Sequence, residues 1–200
     1  MGVLVGKPAP DFDVAAVTGS GEILGSYKRS AAMQGKYGLV FFYPLDFTFV
    51  CPSELIALDH RMDKFRALGV EVVAVSIDSQ FTHNAWRNTA IKDGGIGAVT
   101  YTMAADINHD ICRSYDVESA GGVAYRGAFL IDPQGKVRSQ LVNDLPLGRN
   151  IDELIRLVEA LQFTDQHGEV CPAGWNKGDK GMSASPDGVA AYLSKHAASL

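Results

Sequence analysis

The sequence predicts an α/β protein: a central mixed β-sheet flanked by helices, followed by an extended C-terminal tail. Three observations carry this. Apolar, β-branched runs alternate with stretches whose apolar residues recur every three or four positions. The last two strand-like runs are joined by a turn, which adds an antiparallel pair to a strand–helix–strand series. Beyond Phe163 the periodicity stops, and Gly, Pro, Asp and Lys dominate.

The elements follow in order. GEILGSYKR near the start reads as a turn and a strand. KYGLVFFYP (36–44) is a buried strand, aromatic and β-branched, closed by Pro44. PSELIALDHRMDKFRALG (52–69) is a helix with Leu55, Leu58, Met62, Phe65 and Leu68 on one face. Gly69 ends it. VEVVAVSID (70–78) is a second buried strand, FTHNAWRNTA (81–90) a helix broken by KDGGIG, and TYTMAAD (100–106) a third strand. HDICRSYDV (109–117) is a short helix. YRGAFLIDPQGKVRSQLVND (125–144) is a hairpin turning at Asp132-Pro133-Gln134-Gly135. NIDELIRLVEALQF (150–163) is an amphipathic helix, and VAAYLSKHAASL a short closing one. The domain boundary is placed at 163/164, with a globular unit over 1–163 and a tail over 164–200.

Two hundred residues are enough for one domain with a sizeable core. A net charge of −5 without any Lys/Arg block argues against nucleic-acid and membrane surfaces as partners. The apolar runs are far too short to span a bilayer. MGVLVGKPAPDF does not have the form of a signal peptide, so the expected location is cytoplasmic. The three cysteines, Cys51, Cys112 and Cys171, form no CxxC pair. That weakens both a structural zinc site and a thioredoxin-type reductase motif. The five histidines show no HxH or HxxH spacing, so no metal is expected.

Cys51 is singled out by its place in FYPLDFTFVCPSEL, where a strand ends and a helix opens at Pro52. In α/β sheets, ligands bind beyond the carboxyl ends of strands. A helix N-terminus stabilises a thiolate. A thiol of pKa about 8.5 is only ~3% ionised at pH 7, whereas one near 6 is ~90% ionised. A helix end supplies only about 0.3–1 kcal/mol, so a further positive charge is wanted. Arg126 is the candidate, because an arginine opening a buried strand is costly without a partner or a task. Thr48 either presents its hydroxyl to the thiolate or caps the helix. Glu54 either completes a capping box or holds Arg126. Pro44 breaks the strand and shields one side of the pocket.

These residues carry a resemblance. Pro44-Leu45-Asp46-Phe47-Thr48-Phe49-Val50-Cys51 is similar to the Pro-x-x-x-Thr-x-x-Cys segment of peroxiredoxins. HGEVCPAGW (167–175) resembles the resolving-cysteine segment of the typical two-cysteine class, which includes the peroxidase components of alkyl hydroperoxide reductases. SIDSQFTHNAWRN and YRGAFLIDPQG fit the same family in the expected order. The resemblance implies a thioredoxin-like fold and a peroxidase without cofactor. In it, Cys51 attacks hydrogen peroxide or an alkyl hydroperoxide, Thr48 and Arg126 hold the peroxide, and Pro44 shields the sulfenic acid. Cys171 of the partner subunit then resolves that acid, after local unwinding of the helix start. The resemblance further implies a homodimer, assembled into a decamer of five dimers. The reductant is thioredoxin or a dedicated flavoprotein disulfide reductase. Phe81, Thr82, His83 and Trp86 match the segment that packs dimers into rings, with His83 as a pH-sensitive contact there. Read without the family, the same residues are a plain amphipathic helix with a capping threonine. GGIG (94–97) and Tyr192-Leu193 are near-matches to the Gly-Gly-Leu-Gly and Tyr-Phe of overoxidation-sensitive members. Cys112 matches no functional position and is expected to be a core residue. Two rivals remain: a cysteine hydrolase, for which no histidine sits in a recognisable motif, and a ring-forming holdase acting as an additional role.

Overall fold

A computed structural model of the chain describes residues 2–199. The chain divides into two compact units, Met1–Ile151 and Asp152–Leu200.

The first unit is built on one seven-stranded sheet. Its strands are β1 (Asp13–Val17), β2 (Ile23–Lys28), β3 (Tyr37–Phe42), β4 (Val70–Ser76), β5 (Thr102–Ala105), β6 (Arg126–Ile131) and β7 (Val137–Asn143), in the spatial order β2-β1-β5-β4-β3-β6-β7. β3 pairs parallel with β4, and β4 with β5. β6 joins antiparallel on the far side of β3, and β7 closes the hairpin. The mixed sheet expected from the alternation is therefore present. β3, β4 and β6 lie in its middle and are buried almost throughout, which is why they read as continuous apolar runs. Side chains alternate across β3. Phe42 meets Tyr115 and Phe129 in an aromatic cluster with centroids 4.9–5.7 Å apart. Phe41 serves the site described below.

The helices of this unit are α1 (Arg29–Ala32), α2 (Cys51–Asp59), α3 (Met62–Ala67), α4 (Gln80–Asn88) and α5 (Asp110–Ser114). The single helix expected over 52–69 is two. Arg61 N–H bonds to the Leu58 carbonyl, three residues back, so the turn tightens and the helix restarts. The apolar face survives the break, since Leu55, Leu58, Met62 and Phe65 are all buried. Gly69 lies in the left-handed region at φ 66° and ends α3 as expected. β1 was not legible. Its DVAAV is short and poor in strand-formers, and it becomes a strand by pairing with β2 and β5.

In the second unit, α6 (Ile151–His167) outruns the helix expected to end at Phe163, so the boundary expected at 163/164 falls inside it. The segment after it is not an extended tail. Val170 and Met182 pair as a bridge. Trp175 is buried, packs at a tilt against Phe163 with ring centroids 5.0 Å apart, and donates its indole N–H to the Asp179 carbonyl. The last helix, α7 (Pro186–His196), opens earlier than expected, with Ser185 as its cap. No helix among the described residues is long and apolar enough to cross a membrane.

Candidate active site

Pro44 ends β3 and the chain loops through Leu45–Val50 before α2 begins at Cys51. Val50 occupies the N-cap without a side-chain cap bond. Thr48 is therefore not the cap. Its Oγ1 lies 3.0 Å from Cys51 Sγ and 2.7 Å from the Leu45 carbonyl oxygen. One proton serves one acceptor, so the hydroxyl donates either to the sulfur or to Leu45. Pro52, in the first turn, lacks an N–H, and that leaves one fewer orphan donor at the helix start.

Arg126, at the head of β6, reaches across from the neighbouring strand. Its Nη1 is 3.5 Å from Cys51 Sγ and donates to Glu54 Oε2 at 2.6 Å. Its Nε donates to the Leu145 carbonyl at 2.6 Å. Glu54 thus holds the arginine and does not close a capping box. It also receives a second cation, which sequence reasoning missed. Arg149 donates to Glu54 through its backbone N–H, through Nε at 2.9 Å and through Nη2 at 3.1 Å. Arg149 also donates to the Gly127 carbonyl, and its guanidinium lies 3.4 Å above the Phe41 ring. The Glu54 and Arg149 side chains are essentially sealed from solvent, at 2% and 0% exposure. Burial raises the Glu54 carboxyl, but hydrogen bonds and charge from Arg149, then the charge of Arg126, outweigh it and hold the group below its ordinary range. Nothing in the sequence around Arg149 signalled this role.

Above the thiol lies a hollow of about 390 Å³ lined by Pro44, Thr48, Phe49, Val50, Cys51, Arg126, Leu145 and Pro146. The site therefore combines a buried sulfur, a hydroxyl, a guanidinium and a mostly apolar wall. The loop rests on a second polar group. Tyr43 donates to Asp46 Oδ1 at 2.7 Å, His83 Nδ1 is 2.8 Å from Asp46 Oδ2, and His83 Nε2 is 3.3 Å from the Ala104 carbonyl.

That placement corrects the reading of His83 as a surface contact. His83 and Trp86 are fully buried, the latter beneath Phe47 at 5.6 Å. Phe81 is exposed on the same helix. The cap of α4 is Ser79, whose hydroxyl accepts from the Thr82 N–H.

Cys112 packs in the core. Its thiol donates to the His109 carbonyl. Burial first, and then the charge of Asp106, push it up to about 12. At pH 8 its thiolate fraction is then about 10⁻⁴. Iodoacetamide at that pH is expected to label Cys51 and Cys171 in the native protein and to spare Cys112, read by peptide mass; rapid labelling of Cys112 would contradict the burial. Among the described residues, two groups of side chains have metal-ligating atoms within 4.8 Å of one another: His109, Cys112 and Glu118, and Asp46, Asp78 and His83. Both are already engaged: Glu118 by Arg113 and His109, Asp46 by His83 and Tyr43.

Cys171 lies in the second unit, half-buried. Its Sγ is 3.5 Å from the Ala160 carbonyl of α6.

The fold and this thiol site together define a thioredoxin-like α/β protein with a cysteine at a strand-to-helix junction, set between a hydroxyl and a guanidinium. The chain belongs to the AhpC/TSA family, whose model matches residues 5–140, and it is a thiol peroxidase of the peroxiredoxin type. Residues 160–195 match a second model, the C-terminal domain of 1-Cys peroxiredoxin, although this chain carries Cys171 within that stretch. It is 52% identical over 198 residues to alkyl hydroperoxide reductase C of Helicobacter pylori, covering 99% of this chain and 100% of the relative. It is 50% identical over 195 residues to peroxiredoxin-2 of Macaca fascicularis, covering 96% of each. The crystal structure of reduced Plasmodium vivax 2-Cys peroxiredoxin superposes with a TM-score of 0.94 at 44% identity, covering 96% of this chain and 100% of that one.

Proposed function

We propose that Cys51 is the peroxidatic nucleophile of an enzyme that reduces hydrogen peroxide and alkyl hydroperoxides. The observation that carries this reading is the convergence of the Thr48 hydroxyl and the Arg126 guanidinium on one sulfur, at 3.0 and 3.5 Å. The thiolate attacks the terminal peroxide oxygen. An S–O bond forms as the O–O bond breaks, and water or an alcohol leaves after taking up a proton. Arg126 and Thr48 donate to the oxygens on which charge develops. Pro44 walls the pocket over the resulting sulfenic acid.

Cys171 of the partner subunit then condenses with that acid, releasing water and forming a disulfide. An external dithiol, thioredoxin or a flavoprotein disulfide reductase, returns both thiols. A homodimer, arranged as a decamer of five dimers, suits this cycle. In that arrangement exposed Phe81 makes the ring contact, while Thr82, His83 and Trp86 hold α4 in place behind it. Three unpaired cysteines and the need for a dithiol suit a reducing compartment, the cytoplasm.

A single turnover with one equivalent of hydrogen peroxide, followed on non-reducing gels, tests the cycle. Wild type is expected to run as a disulfide-linked dimer and Cys171→Ser as a monomer bearing a trappable sulfenic acid. A linked dimer formed by Cys171→Ser would remove Cys171 from the resolving role.

A further inference from the structure

Arg126 is held from two sides. Glu54 takes one nitrogen, and the Leu145 carbonyl takes Nε at 2.6 Å. The second anchor belongs to the loop after β7, and the loop is itself pinned. Asp144 Oδ1 accepts from the Leu145 N–H at 2.7 Å, and the Asp144 carbonyl accepts from the Leu147 N–H at 3.1 Å. The Asn143 side-chain amide donates to the Leu147 carbonyl at 3.2 Å, and the Arg149 backbone N–H ends the loop on Glu54. Leu145 and Pro146 are the two central residues of that turn, and both line the hollow above Cys51.

The direction of a carbonyl is set by the ψ torsion of its own residue. Proline restricts that torsion in the residue before it, through its Cδ, and also fixes its own φ. Pro146 is exposed and has no core to fill, so its chemistry acts on the backbone of Leu145. We propose that Pro146 is a positioning residue for the peroxidase reaction: it holds the Leu145 carbonyl on Arg126 Nε, and thereby keeps the guanidinium aimed at the peroxide site. The inference rests on the peroxidatic reading of Cys51 given above. Without the proline, Leu145 gains the helical region, its carbonyl swings, and Arg126 keeps only its Glu54 anchor. The guanidinium then rotates about that one bond, and the donor that meets the leaving oxygen is misplaced. Displacements of this kind are costly even when every catalytic group is retained.

The test is a cycle of four proteins: wild type, Pro146→Gly, Arg126→Gln and the double variant. Each is reacted with hydrogen peroxide under single-turnover conditions and, separately, with iodoacetamide at Cys51. Alkylation needs the thiolate, which the charge of an Arg126 still anchored on Glu54 continues to favour, but it needs no donor aimed at a leaving oxygen. Pro146→Gly is expected to lower the peroxide rate about tenfold, to leave alkylation within about twofold, and to cost nothing further once Arg126 is glutamine. Three outcomes overturn the inference while the peroxidase reading stands: an unchanged peroxide rate, a peroxide rate and an alkylation rate that fall together, or an equal loss in the Arg126→Gln background. A wild type that consumes no peroxide overturns both.

Discussion

Cys51→Ser is expected to lose peroxide consumption by a factor on the order of 10⁴ or more, the scale seen when a covalent nucleophile is removed and its surroundings are left intact. A serine hydroxyl beside Thr48 and Arg126 is still hydrogen-bonded, but it is not ionised near neutral pH and does not attack an O–O bond. The fold is expected to survive, because the replacement is nearly isosteric at a position where the sulfur is 3.0 Å from one donor and 3.5 Å from another. The measurement is single-turnover peroxide loss with thermal unfolding alongside. Consumption by Cys51→Ser at the wild-type rate would move the chemistry to another thiol. Cys112, core-packed and scarcely ionised, is poorly placed to take it over.

Glu54→Ala is expected to injure both stability and rate. Glu54 is the carboxylate that Arg126 and Arg149 share. Removing one partner of a buried ion pair costs about 3–5 kcal/mol, because the charge left behind has neither water nor a counter-ion. For a chain of this size that lowers the melting temperature by roughly 6–20 °C. Peroxide turnover is expected to fall about a hundredfold at temperatures where the variant is folded, since Arg126 loses its shortest ionic anchor.

The pH dependence has a definite sign. The Glu54 carboxyl is depressed in the folded state, so its contribution is fully present above the unfolded value of about 4.3 and is lost as pH falls through the folded value. Glu54→Gln removes that dependence. Its stability, measured by denaturant titration, is expected to be lower than wild type at neutral pH and to fall less steeply between about pH 5 and 3. A Glu54→Gln curve parallel to wild type throughout that range would show that the carboxylate contributes nothing through ionisation.

What could be read in the sequence divides by distance along the chain. Pro44, Thr48 and Cys51 lie within one loop and a helix start, so their spacing brought them near one another, but it left Thr48 open as a helix cap, and only the family resemblance pointed its hydroxyl at the sulfur. Arg126 was legible for a different reason: a charged residue opening a strand that is otherwise entirely apolar needs a partner, and Glu54 supplied it. Arg149 carries no such mark. It sits between Gly148 and Asn150 in a stretch that reads as a surface loop, and its burial is assembled from Phe41, Glu54 and Gly127, three segments remote from one another. His83 shows the converse. Its helix is exposed at Phe81, but His83 points inward to Asp46 and the Ala104 carbonyl, two partners that periodicity does not reveal. The break in the 52–69 helix was invisible for a related reason, because the buried face runs on through it.

The ion cluster on α2 also sets a length. Cys51 lies three residues ahead of Glu54, and Glu54 is moored by Arg126 and Arg149 to the far strand and the loop beyond it. If the first turn of the helix melts to present an oxidised sulfur, the melting stops at that mooring. Three freed residues span at most roughly 10 Å when extended. On that condition the thiol is on a short leash: it leaves its pocket and returns while the arginines keep their hold on the helix at Glu54.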